Sequence, residues 1–111
     1  MSYRTDTRAL VLAALKDGPK HGYAIGKSIR EGSGDLLKLG EGQLYPLLHE
    51  LEEKGFVSGE WEGVPGDPPR RVYTLTSTGE GELLRRAKKW ADFAGAVGSL
   101  LSTSKLETSH E

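Results

Sequence analysis

The stretch Gly40-Glu41-Gly42-Gln43-Leu44-Tyr45-Pro46-Leu47-Leu48-His49-Glu50-Leu51-Glu52-Glu53-Lys54-Gly55 decides the fold. Leu44, Leu47, Leu48 and Leu51 recur at i, i+3, i+4 and i+7, so a helix here carries one leucine face. The other face holds Gln43, Tyr45, Pro46 and His49, an unusual mixture for a surface that only needs to be soluble. Gly55 stops the helix, because glycine enters the left-handed region at a C-terminus without steric cost. A strand-like run, a Gly/Pro-rich tip and a second strand-like run follow. A leucine-docked helix with a polar and aromatic outer face, then a hairpin, is the order of elements in a winged helix that reads DNA. The expected class is mainly α with a small β-hairpin wing: a winged helix-turn-helix plus a C-terminal dimerisation helix.

Pro46 is a local conflict, since proline inside a helix removes a backbone bond and clashes with the preceding turn. Starting the helix near Gly40 confines the fault to the first two turns, where a kink or an irregular first turn is expected. Downstream, Phe56-Val57-Ser58-Gly59-Glu60-Trp61-Glu62 reads as one strand and Arg70-Arg71-Val72-Tyr73-Thr74-Leu75 as its return. Between them Gly63-Val64-Pro65-Gly66-Asp67-Pro68-Pro69 is a concentrated turn signal. Two strands alone are marginal in water, so they need a helical layer beneath them.

Upstream, Thr5 or Asp6 can cap a first helix over Thr7 to Lys16. Its run Leu10-Val11-Leu12-Ala13-Ala14-Leu15 is apolar round most of the circumference, so it is nearly buried or touches several partners. Asp17-Gly18-Pro19 ends it. A second helix over His21 to Arg30 points Ile25 and Ile29 inward, with Tyr23 read as core, although Gly22, Gly26 and Gly32 lower its propensity. Downstream of the hairpin, Thr76 or Ser77 caps the last helix and Glu80 sits in its first turn, where the helix dipole favours an acid. Leu83, Ala87, Trp90, Ala94, Val97 and Leu101 recur in steps of four and three, a heptad seam. That surface exceeds what a small domain covers, so the seam is expected to pack against a second copy. The expected division is a winged-helix domain over 1–76, a dimerisation helix over 77–103 and a disordered tail over 104–111.

Composition bounds the rest. With 111 residues and 36% hydrophobic content, the chain suits one compact domain. It has no apolar run long enough to cross a bilayer and no signal-peptide pattern, so it reads as cytoplasmic with no membrane partner. The absence of cysteine excludes disulfides, thiolate zinc sites and thiol catalysis. His21, His49 and His110 lie in unrelated segments, so neither a metal nor a cofactor is expected. A net charge of −1 is a weak argument against nucleic acid, but its distribution matters more. Residues 1–40 hold seven Lys/Arg against four Asp/Glu, whereas residues 41–64 hold one Lys against six Glu.

The residues resemble the PadR-like family of bacterial transcriptional regulators. The matching stretches are Leu15-Lys16-Asp17-Gly18-Pro19-Lys20-His21-Gly22-Tyr23-Ala24-Ile25 and Gly42-Gln43-Leu44-Tyr45-Pro46-Leu47-Leu48-His49-Glu50-Leu51-Glu52. A third runs from Gly66-Asp67-Pro68-Pro69-Arg70-Arg71-Val72-Tyr73 through Thr74-Leu75-Thr76-Ser77-Thr78-Gly79. The resemblance covers roughly residues 8–101 and implies a homodimeric winged-helix repressor with a helical dimerisation part. The single last helix is similar to a short subfamily, some of whose members sense planar aromatic drugs through a pore at the dimer interface. In those relatives a tryptophan of the last helix lines the pore, and Trp90 stands in the similar position. Ala94 and Ala87 depart from that pattern, where relatives place an acid and a bulky aromatic. Glu41 departs too, standing where a serine-proline start is common.

Chemistry assigns roles to particular side chains. A recognition helix reads base edges from its N-terminal half while flanking elements bind phosphate. Gln43 can bond adenine bidentately, and Tyr45 can donate to phosphate or pack on a thymine methyl. Lys20, His21, Lys27 and Lys38 are expected on phosphates, Arg70 and Arg71 on backbone or minor groove, and His49 on the same face. The plainer alternative leaves Tyr45 half-buried, His49 solvated and the arginines paired with Glu60 or Glu62. Trp90 likewise has two readings. It is either dimer core, contributing about 1.5–3 kcal/mol of apolar burial, or one of two indoles that sandwich an aromatic ligand beside Phe93, Val97, Ala9 and Leu12. The expected partners are thus double-stranded DNA with a palindromic operator, a second copy and a small aromatic ligand.

Two other classes remain to compare. Glu52 and Glu53 are adjacent on a helix and diverge by about 100°, so they cannot act as a facing acid/base pair. No Ser/His/acid grouping or phosphate-binding glycine loop can be assembled, and no enzyme is expected. The rival is a winged helix used for protein–protein contact without sequence-specific DNA binding, which the acidic 41–64 segment favours.

Overall fold

The computed structural model describes residues 6–108. In chain order the elements are α1 (Thr7–Ala14), β1 (Lys20–His21), α2 (Gly22–Gly32), α3 (Glu41–Glu53), β2 (Val57–Glu62), β3 (Arg70–Leu75), α4 (Ser77–Leu100) and α5 (Ser104–Thr108). The fold is mainly helical with a small antiparallel sheet of order β1-β3-β2, as the winged-helix reading requires. The sheet has three strands where the hairpin pattern showed two. Lys20 pairs with Tyr73 and His21 with Val72, and two residues are too few to carry an alternating pattern.

The helix ends follow local chemistry. The Asp6 side chain accepts from the Ala9 N–H at 3.1 Å and caps α1, while the alternative cap Thr5 lies outside the described residues. α1 ends two residues before the expected Lys16, because Leu15 and Lys16 bond back to Leu12 and Ala13 in a tightened last turn. His21, expected inside the second helix, is instead its cap: its Nδ1 accepts from the Ala24 N–H at 3.4 Å. α3 runs unbroken through Pro46, with Gln43 and Leu44 both bonded to the Gly40 carbonyl in an irregular first turn. After α3, Gly55 takes φ +78°, its N–H reaches the Glu52 carbonyl, and Phe56 reaches that of Leu51. These two bonds satisfy carbonyls that the helix end would otherwise orphan. The short α5 stands where a disordered tail was expected over 104–111; positions 109–111 lie outside the described residues.

One core joins the three helices of the body to the sheet. Val11, Leu12 and Leu15 of the α1 segment meet Ile25 and Ile29 of α2, Leu44, Leu48 and Leu51 of α3, and Val57 and Tyr73 of the sheet. Leu47, the fourth leucine of the stripe, is only partly buried. α1 touches α2, α3 and α4, which explains why its sequence is apolar nearly all round. α4 leaves this body as a long projection. The Cα radius of gyration is 17.8 Å, against about 13 Å for a compact chain of this length.

The joint between body and α4 is closely fitted. The Thr76 hydroxyl donates to the Gly55 carbonyl at 2.6 Å and accepts from the Gly79 N–H at 3.0 Å, so one side chain caps α4 and fastens it to the turn after α3. A Cβ on Gly79 would lie 1.9 Å from the Phe56 carbonyl oxygen. Ion pairs add a second connection. Arg86 of α4 reaches Asp6 at 2.9 Å and Glu82 at 2.8 Å, and Arg8 of α1 donates to Glu50 of α3, one of its bonds at 2.8 Å.

Gly79→Ala is expected to destabilise the chain by about 1–3 kcal/mol, because the clash is with backbone that cannot swing aside. Gly81→Ala has open space around it and should be neutral or gain up to about 1 kcal/mol of helix propensity. Urea unfolding of the two variants checks the contrast.

Candidate nucleic-acid interface

Tyr45 stands at the centre of one concave face. Its ring lies over Gly22, where an added Cβ would meet the ring and hydroxyl at 2.9 Å, so the bare backbone at the start of α2 is what lets α3 approach. From Tyr45 three grooves extend. The first, about 220 Å³, runs between α2 and the start of α3 and is lined by Tyr23, Lys27, Arg30 and Lys38. The second, about 490 Å³, passes between the start of α2 and the wing beside His21, Trp61, Arg70 and Arg71. The third, about 560 Å³, separates α3 from the wing and includes His49, Glu52 and Trp61. Tyr45 lines all three.

Gln43 is exposed one turn from the start of α3, beside Tyr45, which is 47% exposed. Lys27 and Lys38 both line the first groove. Tyr23 corrects the sequence reading: it is 68% exposed rather than core. The period that turns Ile25 and Ile29 inward turns Tyr23, Lys27 and Arg30 outward, a signal that was present in the sequence. Arg30, 3.8 Å from Asp35, and the exposed Trp61 were not among the expected site residues. His49 is exposed and lies 3.3 Å from Glu53.

The two wing arginines diverge, because successive side chains of a strand point to opposite faces. Arg70 is exposed, with Nη1 3.3 Å from His21 Nε2. The two contacts of His21 are alternatives in the neutral ring: Nε2 accepts from Arg70 in one tautomer, and Nδ1 accepts the Ala24 cap bond in the other. Arg71 turns back to donate to Glu52, and its guanidinium sits 5.5 Å from the Trp61 ring and 5.9 Å from that of Tyr73. Its pairing is with Glu52, not with Glu60 or Glu62. Bonding to Glu52 raises the Arg71 pKa, while burial is the main cause that pushes the Tyr73 phenol up.

The acidic segment is less acidic than it reads. Glu50 is held by Arg8 and Glu52 by Arg71, which removes part of the case for a basic protein partner on this face. The Arg8 hydrogen bond lowers Glu50 from its ordinary 4.5 to about 2, and Arg85, with Arg86, lowers Glu82 to about 2. Among the described residues no group of three His, Cys, Asp or Glu could hold a metal ion, and no helix is long and apolar enough to cross a membrane.

Along α4 the heptad positions beyond Leu83 are exposed or partly exposed. Leu83 packs on the body, Ala87 and Ala94 are exposed, Val97 is half-exposed, and Trp90 and Leu101 are 45% and 69% exposed. The Trp90 and Phe93 rings lie 5.7 Å apart at 42°. Ala9 is partly exposed, whereas Leu12 is fully buried and has no surface to offer a ligand in the single chain.

A three-helix body, a wing, and a half-exposed aromatic at the head of the third helix define a winged-helix protein. Residues 11–85 match the transcriptional regulator PadR-like family, and the chain belongs to that family, whose members are transcriptional regulators rather than enzymes. It is 42% identical over 93 residues to a protein of transposon TN4556 from Streptomyces fradiae, covering 83% of this chain but only 25% of that protein. A PadR family transcriptional regulator from Eggerthella lenta is 33% identical with a TM-score of 0.74, over 88% of this chain and 83% of that one. Bacillus subtilis PadR in complex with operator DNA is 26% identical with a TM-score of 0.68, over 75% of this chain and 47% of that one. The chain thus spans a quarter of the Streptomyces relative and about half of the Bacillus one.

The ion pairs set a pH dependence. A carboxylate with a lowered folded-state pKa contributes stability above its ordinary value and loses it as pH falls towards the folded value. For Glu50 and Glu82 that window runs from about 4.5 down to about 2. Glu50→Gln should therefore lower the melting midpoint at neutral pH and lose most of that difference by about pH 3. Thermal melts of both proteins across this range check it.

Proposed function

We propose that this chain is a homodimeric transcriptional repressor that binds a palindromic operator through the Tyr45 face. The observation that carries the reading is the convergence of three grooves on Tyr45, with Lys27, Lys38 and Arg70 at their edges. Gln43 and Tyr45 read bases in the major groove. Lys20, Lys27, Arg30 and Lys38 hold phosphates on one side, and His21 and Arg70 hold them on the other. His49 lies at the edge of the same face. Bacillus subtilis PadR, a structural relative, is in complex with operator DNA, which supports the same role here. The site is cytoplasmic, where the operator is.

Residues 1–76 form the DNA-binding unit and 77–103 the dimerisation helix, whose seam of Leu83, Ala87, Trp90, Ala94, Val97 and Leu101 packs on a second copy. The seam is exposed along most of its length in the single chain, which supports that pairing. Two symmetry-related Trp90 indoles, with Phe93, Val97 and Ala9, sandwich a flat aromatic ligand. A ligand between them changes the spacing of the two α3 helices. It releases DNA only by binding the DNA-incompetent arrangement more tightly.

Operator affinity should fall with salt at a log–log slope of about −0.9 per phosphate contacted, and a salt-insensitive complex would sink the proposal. Tyr45→Ala should cost about 1–3 kcal/mol of operator binding, roughly 5- to 150-fold, and lower the melting midpoint only slightly through the lost contact with Gly22. Sedimentation equilibrium should give twice the chain mass of 12.1 kDa, and a monomer at micromolar concentration would remove the seam. Trp90→Ala should abolish release by an aromatic compound that releases the wild type. Unchanged release would leave Trp90 as dimer core alone.

A further inference from the structure

We propose that Arg71 is a positioning residue that clamps the wing to α3 through Glu52 and makes no contact with DNA. The inference rests on the DNA-binding reading above and assigns one of its two wing arginines a different task. Four features hold the guanidinium. It donates to Glu52, lies against Trp61 across the strand pair, lies against Tyr73 on its own strand, and fills the slot beside Gly59. A Cβ on Gly59 would come 2.7 Å from Arg71 Nε, so the missing side chain is what admits the guanidinium. A planar fork with two stacking faces suits this site, and a lysine would satisfy neither demand.

The clamp sits where it controls geometry. Tyr45, His49 and Glu52 are at i, i+4 and i+7, so Glu52 lies on the stripe of α3 that faces the wing, two turns from the base-reading end. Arg71 grips that stripe from β3, and Arg70, next to it on the opposite face, is thereby held at a set distance from Tyr45. Apart from the pairing of β3 with β1 and the contact of Arg70 with His21, the outer wing has few ties to the body, since every side chain from Trp61 to Arg70 is exposed. A guanidinium already committed to a carboxylate also brings little net charge to a phosphate. The pair therefore orients the wing, and Arg70 supplies its charge.

The test uses a labelled duplex selected from a random pool by the wild-type full chain, with anisotropy titrations over a range of salt. Arg71→Gln and Glu52→Gln should each weaken binding roughly fivefold to tenfold, and the double variant should be no weaker than either single one. The salt slope should stay at the wild-type value. Tighter binding by Glu52→Gln, or a slope reduced by about 0.9 in Arg71→Gln, would overturn the proposal and make Arg71 a phosphate contact. Hydrogen exchange without DNA gives a second readout. Amides of β2 and β3 should exchange faster in both single variants, and wild-type protection would also overturn the clamp. Failure of the wild type to select any duplex would sink the DNA reading alone, leaving hydrogen exchange to decide the clamp.

Discussion

Gly79 meets the Phe56 carbonyl with no room for a single methyl group, and that contact sets where α4 leaves the body. Thr76 completes the joint, because its hydroxyl caps α4 while holding the carbonyl of Gly55 at the end of α3. The α3 helix and the projecting α4 helix are thus connected through one close-fitting backbone corner. A flexible linker here would let the two move independently.

Electrostatics works in the same direction. Asp6, Arg8, Glu50, Glu82 and Arg86 tie α4 to α1 and α1 to α3. These pairs are partly exposed, so each contributes modestly to stability. Their larger effect is on charge. Two of the six glutamates of the 41–64 segment, Glu50 and Glu52, are neutralised by arginines distant in sequence, so the segment carries less free negative charge than its composition indicates.

Much of this was legible in the chain. The leucine period at 44, 47, 48 and 51 located α3, the turn-rich 63–69 located the wing, and Thr76 with Glu80 located the start of α4. These features are local, set by periodicity, capping and backbone sterics within a few residues. The exposed side of α2 is legible too, because Tyr23 lies on the stripe opposite Ile25 and Ile29, a phase that outweighs the general preference of an aromatic ring for the core.

What the tertiary structure alone decided depends on pairs far apart in sequence. A two-residue strand has no pattern of its own and forms because β3 offers it a free edge. Whether an arginine is available to a ligand depends on which carboxylate the fold brings to it. Arg70 and Arg71 are chemically identical neighbours, yet strand alternation sends one to the surface beside His21 and the other to Glu52. The sequence by itself determined the elements, their order and the leucines that dock α3, since those follow from local period and propensity. Only the packed molecule decided which charges are spent internally, because ion pairing depends on distance in space and not on distance along the chain.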